Sequence, residues 1–407
     1  MGVVTLREES ARHGGFYVPR FEIRIAGANL PLDVLRDVMQ VTYKDNVKEL
    51  DSFEITVNNW DAAKKQFKYV GVETPESLKK NPLHSLFNPC GHDVDILMGY
   101  GSRPLKLMLK GNFTTMEPNF PSSGGSTLAV RGLNVLHKLR TNRYSYAWSK
   151  EKPSTIAKSF ETLPDPDPKR KDRKRFPLPV NIENNDVKRE DDIEYLAQSN
   201  QFDIEFLLAL ARRVGYDVFI EEEQKKGNEV VRPRQLYFGP SDANHAGVKP
   251  ATFELKWGLS LIDFKPTLTT ANQVKTVTVN GWDREKKQPI KGTASIDSVL
   301  LNADLRENFV SCDQREERVE DLPVFDQKEA DTLAMGMLLD RSKDLVKATG
   351  TCVGLPELRA GQRVVIGNLG SRFNGEYFVT DTTHTMGDSG YITKFSARRE
   401  DRGQRQR

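Results

Sequence analysis

A chain of 407 residues, 37% of them hydrophobic, has length for two or three domains at roughly 150 residues each. Its 60 Lys and Arg against 57 Asp and Glu leave a net charge of +3, too small for a dedicated polyanion binder, so nucleic acid is not an expected partner. Cys90, Cys312 and Cys352 are odd in number and widely spaced, which argues against a disulfide framework and fits ordinary buried thiols in a reducing cytosol.

The N-terminus, MGVVTLREESARHGG, lacks the apolar run of a secretory signal, and no stretch approaches the roughly 20 apolar residues of a membrane span. From residue 16 the pattern alternates with a period of two. Phe21, Ile23 and Ile25 oppose Glu22 and Arg24, while Phe53, Ile55 and Val57 oppose Ser52, Glu54 and Thr56. Leu105, Leu107 and Leu109 oppose Lys106 and Lys110 in the same way. Strands of this kind predict a closed or nearly closed antiparallel barrel over 16–140. Between Trp60 and Cys90 the alternation fails, and Pro75, Pro82 and Pro89 predict a loop or short-helix insertion.

A middle domain is expected over 141–251. Its stretch 163–192 is rich in proline and charge, includes KRKDRKR, and reads as a solvated loop or linker with almost nothing to bury. Next comes a helix with Asp203 as N-cap, a stripe of Ile204, Leu207, Leu208, Ala211 and Val214, and Gly215 as stop; Val218 and Ile220 then begin a strand. A second barrel is expected over 252–400, with Val277 and Val279 opposing Thr276, Thr278 and Asn280. A helix interrupts it at 326–343, capped by Asp326 with Glu329 three residues on, and residues 401–407 form a basic tail. The fold class is therefore mainly β with α+β insertions: two tube-like antiparallel barrels and a small helical middle domain.

Two hairpins echo each other. FTTMEPNFPSSGGSTLAVRG (113–132) and VTDTTHTMGDSGYITKFSAR (379–398) each run a strand through a Gly/Ser turn into an alternating strand that ends near an arginine. Val130-x-Gly132-x-Asn134 also resembles Val279-x-Gly281-x-Asp283.

No catalytic, metal or cofactor residues emerge. The histidines at 13, 84, 92, 137, 245 and 384 are scattered, and in His92-Asp93-x-Asp95 a strand would point His92 away from both carboxylates. No phosphate loop, dinucleotide motif or G-x-S-x-G elbow occurs, so Ser126 reads as a turn residue. Nothing singles out a carboxylate pair for glycoside hydrolysis among the 57 acidic residues. Trp60, Trp148, Trp257 and Trp282 are expected to cap β-cores.

Several segments, in order, resemble the late control D family of phage baseplate hub proteins and the hub portion of the valine-glycine repeat spike proteins of type VI secretion. They are Met98-Gly99-Tyr100-Gly101 with Leu109-Lys110-Gly111-Asn112-Phe113, the run LAVRGLNVLHKL at 128–139, residues 195–216, residues 277–283 and residues 354–398. The resemblance implies a non-enzymatic structural protein: a homotrimeric ring that adapts a six-fold tail tube to a three-fold spike. Its partners would be the tube ring, a separate spike chain and other baseplate components. The longer members of these families carry an oligonucleotide-fold, lysozyme-like or needle domain after the second barrel, and none is expected after Arg399 here. Assembly in the cytoplasm and then residence in a phage virion or injection particle are implied. The alternatives are a peptidoglycan hydrolase, or a glycan-binding module on 195–220, which resembles lysin-motif helices.

Overall fold

The computed structural model describes residues 3–399 apart from 13–15, 17, 48, 90, 102, 135–139, 141, 166–174, 177, 183–186, 188–189, 222, 227–228, 241–251, 272, 285, 297–314, 344 and 371–372. The first β-region contains β1 (Pro19–Ile25), β2 (Val38–Asn46), β3 (Ser52–Asn58), β4 (Asp93–Tyr100), β5 (Lys106–Asn119) and β6 (Thr127–Asn134). They pair in the order β1-β4-β5-β6-β3-β2. Ile23, Ile25, Phe53, Ile55 and Val57 bury on one face as the alternation requires, against Val41, Tyr43, Phe113 and Val130. In β5 the expected alternation breaks. A bulge next to Leu107 buries both Met108 and Leu109, leaving Leu105 and Leu107 half-exposed. The 59–92 insertion holds two four-residue helices and a minimal hairpin, as its prolines indicate.

The middle region contains β7 (Arg143–Glu151), α1 (Pro153–Ser159), β8 (Ile193–Phe202), α2 (Asp203–Val214), β9 (Asp217–Glu221) and β10 (Gln235–Gly239). Its core stacks Trp148 on Phe206 and Phe160, with Ile204, Leu207 and Leu210 of α2 beneath. Gly215 ends α2 at φ 72°, a left-handed position that costs a glycine little. Asp203 is not the cap. It is the first helical residue, buried, and bound through Oδ2 to Arg175 Nε at 2.8 Å. That contact also corrects the reading of 163–192 as having almost nothing to bury: Leu163, Arg175, Phe176 and Val180 are buried, and all but the arginine belong to the middle core. Of KRKDRKR, only Arg175 lies within the described residues.

The second β-region contains β11 (Thr252–Lys256), β12 (Leu261–Leu268), β16 (Val346–Val353), β17 (Arg363–Gly367), β18 (Gly375–Gly387) and β19 (Gly390–Arg399). Between β12 and β16 lie β13 (Thr276–Asp283), β14 (Gln288–Ser295), β15 (Glu316–Val319) and α3 (Gln327–Ser342). These form their own three-stranded sheet under one helix, with a separate core of Val277, Val279, Ile290, Leu333 and Leu338. So residues 276–342, within the span read as one barrel, make a unit of their own. Asp326 caps α3 by accepting from Glu329 N at 2.7 Å, as expected. Gly292 lets α3 approach, since a Cβ there would meet the Ala330 carbonyl.

The second region pairs as β11-β17-β18-β19-β16-β12. Matched strand for strand, this is the path of the first region. The correspondence extends to irregularities. The β5–β6 ladder slips between Phe113 and Thr115 and the β18–β19 ladder between Val379 and Asp381, so Thr114 and Thr380 are the bulged residues. The β2–β3 ladder slips at Met39 and the β12–β16 ladder at Ile262. The hairpin echo is thus a topological repeat. The Val-x-Gly-x motif is not part of it, because β6 corresponds to β19 and Val279 lies in the insert. One pairing differs: β1–β4 is antiparallel and β11–β17 parallel.

Candidate functional site

Neither repeat pairs its own first and second strands among the described residues. Instead β2 of the first repeat runs antiparallel beside the distal half of β18 of the second, from Asn46↔Asp381 to Gln40↔Gly387, and both repeats join one 13-stranded sheet. This seam holds a cluster of buried polar side chains. Arg359, from the β16–β17 loop, reaches across it: its Nε donates to Asp45 Oδ2 at 2.7 Å, its guanidinium donates to the Tyr43 hydroxyl and to Met108 O at 2.9 Å, and it lies 4.5 Å from the Tyr43 ring centroid. Ala360 N donates to the same Asp45 oxygen at 3.1 Å, and the Thr382 hydroxyl donates to the other.

Beside this clamp His384 is wholly buried. Its Nε2 faces Leu358 O at 2.9 Å and must donate, so Nδ1 accepts from the Tyr391 hydroxyl at 2.9 Å and from Thr393 Oγ1 at 3.1 Å. Burial lowers the His384 pKa to about 4, so the ring is neutral at physiological pH; the Asp45 charge opposes that shift and Arg359 adds to it. Burial likewise pushes the Tyr391 and Tyr100 phenols and the Cys352 thiol up. Tyr100 OH donates to Gly354 O at 2.9 Å, a second tie between the repeats. Arg359, Asp45, Tyr43, Thr382, His384, Tyr391 and Tyr100 each face a protein partner, so the arrangement fixes the two repeats together within one sheet. Sequence reasoning missed it. His384 sat in the echo hairpin, but the partner strand lay more than 300 residues away.

Elsewhere the sequence-marked residues scatter. His92 contributes a carbonyl to Asn112 Nδ2 at 3.1 Å, Asp93 accepts from the same amide at 2.7 Å, and Asp95 lies 3.9 Å from Lys110. No group of three metal-ligating side chains occurs among the described residues. Ser126 donates to Asn119 O at 2.8 Å and accepts from Asn59 Nδ2 at 3.2 Å, tying the hairpin to the start of the insertion. His13, His137, His245, Cys90, Cys312 and residues 400–407 lie outside the described residues. Trp148 is core and Trp60 is half-buried, 5.3 Å from the Phe67 ring, but Trp257 and Trp282 are exposed rather than capping a core. A cleft of about 470 Å³ between α2 and α3, walled by Phe206, Leu210, Leu333 and Met337, has Asp340 as its one carboxylate among the lining residues. Among the described residues no helix is long and apolar enough to cross a membrane.

The chain matches the model of the Alg8 N-terminal domain family over residues 181–388, just over half its length. It belongs to the Alg8 N-terminal domain family. The Alg8 N-terminal domain match takes in α2, the sheet–helix insert and most of the second repeat, including the Arg359 and His384 side of the seam. No curated protein sequence matches the chain. Solved structures do. The 43 kDa tail protein of prophage MuSo2 from Shewanella oneidensis superposes with a TM-score of 0.61 at 12% identity, over 93% of this chain and 98% of that one. The tail protein from Neisseria meningitidis MC58 gives 0.60 at 14% identity, over 94% and 97%. An Escherichia coli component of the type VI secretion system, described as structurally similar to the T4 tail proteins gp27 and gp5, gives 0.53 at 12% identity, over 94% and 78%. The fold is therefore that of these β-rich tail proteins across both repeats.

Proposed function

We propose that this Alg8 N-terminal domain protein is a structural hub of a contractile tail or injection-machine baseplate, without enzymatic activity. In this reading three copies form a ring between a six-fold tail tube and a three-fold spike carried on a separate chain, after assembly in the cytoplasm. The observation that carries it is the repeated six-strand path: a three-fold ring of a chain holding two equivalent strand repeats presents six quasi-equivalent units. The two ends of the sheet support this further. At one end β6 leads into the middle region and β12 into the insert, while Arg398 bonds Asp217 at 3.1 Å. The other end repeats exposed apolar residues, Leu32 and Met39 before and in β2, Leu259 and Ile262 before and in β12. The first end would face the spike with three-fold symmetry, and the second would meet the tube six-fold.

The resemblance to late control D hubs and the tail-protein fold support the same assignment. A reconstruction of the assembled particle tests it. Three copies per ring, with the two repeats superimposing under a 60° rotation, are expected; six copies per ring, or repeats that do not superimpose, would overturn it. Peptidoglycan turnover abolished by a single acidic substitution would overturn the non-enzymatic part.

A further inference from the structure

The repeat assigns every strand a counterpart, and one consequence is a contact that a single copy leaves unmade. In the seam, β2 pairs with the distal half of β18. The counterpart of β2 is β12, and that of β18 is β5. Yet among the described residues β12 pairs only with β16 along 263–268, and the distal half of β5, residues 114–119, pairs only with β6. Among the described residues the chain therefore carries one edge of each kind, open and on different repeats. Resting on the trimeric-hub reading, we infer that β12 of one copy pairs antiparallel with the distal half of β5 of the next, in the register of the internal seam.

That register follows from the bulges. Met39 corresponds to Ile262 and Thr380 to Thr114, so the seam pairs Asp45↔Thr382 and Tyr43↔His384 become Leu268 opposite Met116 and Pro266 opposite Pro118. The two prolines fall on one rung although nothing in the mapping used them. Proline cannot donate to a ladder and is tolerated on edge strands, where it also guards against indiscriminate pairing. Their coincidence confines the lost hydrogen bonds to a single rung. Inward-facing positions agree as well. Where the internal seam carries Tyr43, Asp45, Thr382 and His384, the open edges carry Pro266, Leu268, Met116 and Pro118, with half-buried Phe264 and a Phe120 that is 52% exposed at the rim. On the outer face Glu117 comes opposite Thr267 and diagonal to Lys265, within reach of a favourable pair. The contact is head-to-tail, each copy giving β12 and receiving on β5, which closes as a ring if the rotation between copies repeats that between repeats.

The test uses the full chain in assembled particles, with the exposed pair Glu117→Cys and Thr267→Cys. The double variant is expected to shift from the one-copy band to two- and three-copy bands on a non-reducing gel, while each single variant, which also controls for the native cysteines, stays at one copy. A pair displaced by two residues, Glu117→Cys with Thr269→Cys, is expected to link poorly. Unchanged melting of the free variants checks that the fold is intact. Particles with three copies per ring but no crosslink would overturn the interface and leave the trimeric hub standing. Crosslinked ladders running beyond three copies would support the strand pairing and overturn the closed ring.

Discussion

The two repeats follow one path but are finished differently where they meet something else. The internal seam is sealed by buried polar chemistry: Arg359, Asp45, Tyr43, Thr382 and His384 hydrogen-bond one another in a largely buried cluster. The open counterparts of those strands carry leucine, methionine and proline. A buried charged network is strong when complete and costly when broken, so it suits a junction made once, during folding. An apolar edge with blunting prolines suits a junction that must stay soluble until a partner arrives. The same strand geometry thus serves a permanent joint and, in our proposal, an assembled one.

Breaking the internal joint gives the largest expected effect. Arg359→Ala strands the Asp45 carboxylate in the interior and should destabilise by about 3–5 kcal/mol in urea unfolding. Lys265→Ala, on the exposed face of open β12, should change stability by under about 0.5 kcal/mol. If the two losses were similar, the contrast between sealed and open edges would not hold. Leu207→Ala and Leu333→Ala, each in a core outside the repeats, should cost about 2–5 kcal/mol. Loss of one cooperative transition into two in either variant would mean that these units fold apart from the sheet.

How far these features were legible follows from their range along the chain. Period-two alternation marked β1, β3 and β13, and cap chemistry marked the Gly215 end of α2 and the Asp326 start of α3, because those signals are local. The echo at 113–132 and 379–398 was real because the bulge and the strand pairing repeat within one hairpin, although the turns differ in length. The β2–β18 pairing was hidden, since no local pattern says which distant strand completes a sheet. Arg175 was hidden for the opposite reason: it sits in a charge run that composition assigns to solvent, and only its buried partner Asp203 identifies it. Trp257 and Trp282 misled because an exposed aromatic and a core aromatic look alike in sequence.

Acid should loosen the sealed joint by about 3 kcal/mol at most. The unfolded His384 titrates near 6.5 and the folded one near 4, so the unfolded chain holds the extra proton between these values. Its contribution is complete above pH 6.5 and is lost as pH falls toward 4. Asp381, whose pKa burial raises, works in the opposite sense at the acid end. Unfolding free energies at pH 7, 6, 5 and 4 should fall more steeply for the parent chain than for His384→Gln, which has no proton to take up. Parallel slopes would mean that the histidine is not held neutral.

The smallest effect on stability falls at the apolar end of the sheet. Leu32 is 73% exposed and Leu259 71%, so replacing either by Glu removes almost no buried area and should move the unfolding free energy by under about 0.5 kcal/mol. If both repeats contact a six-fold ring through these residues, each copy makes the contact twice, and one substitution spoils half of the contacts. Leu32→Glu and Leu259→Glu should then weaken docking of the hub onto purified tube rings to a similar degree, and the double variant should weaken it more than either. The two repeats need only offer the same chemistry at the same end of the sheet, so the comparison between variants matters more than the size of either loss. Full docking by one single variant beside loss in the other would show that only one repeat meets the tube, and that the shared strand path of the two repeats does not carry a shared contact.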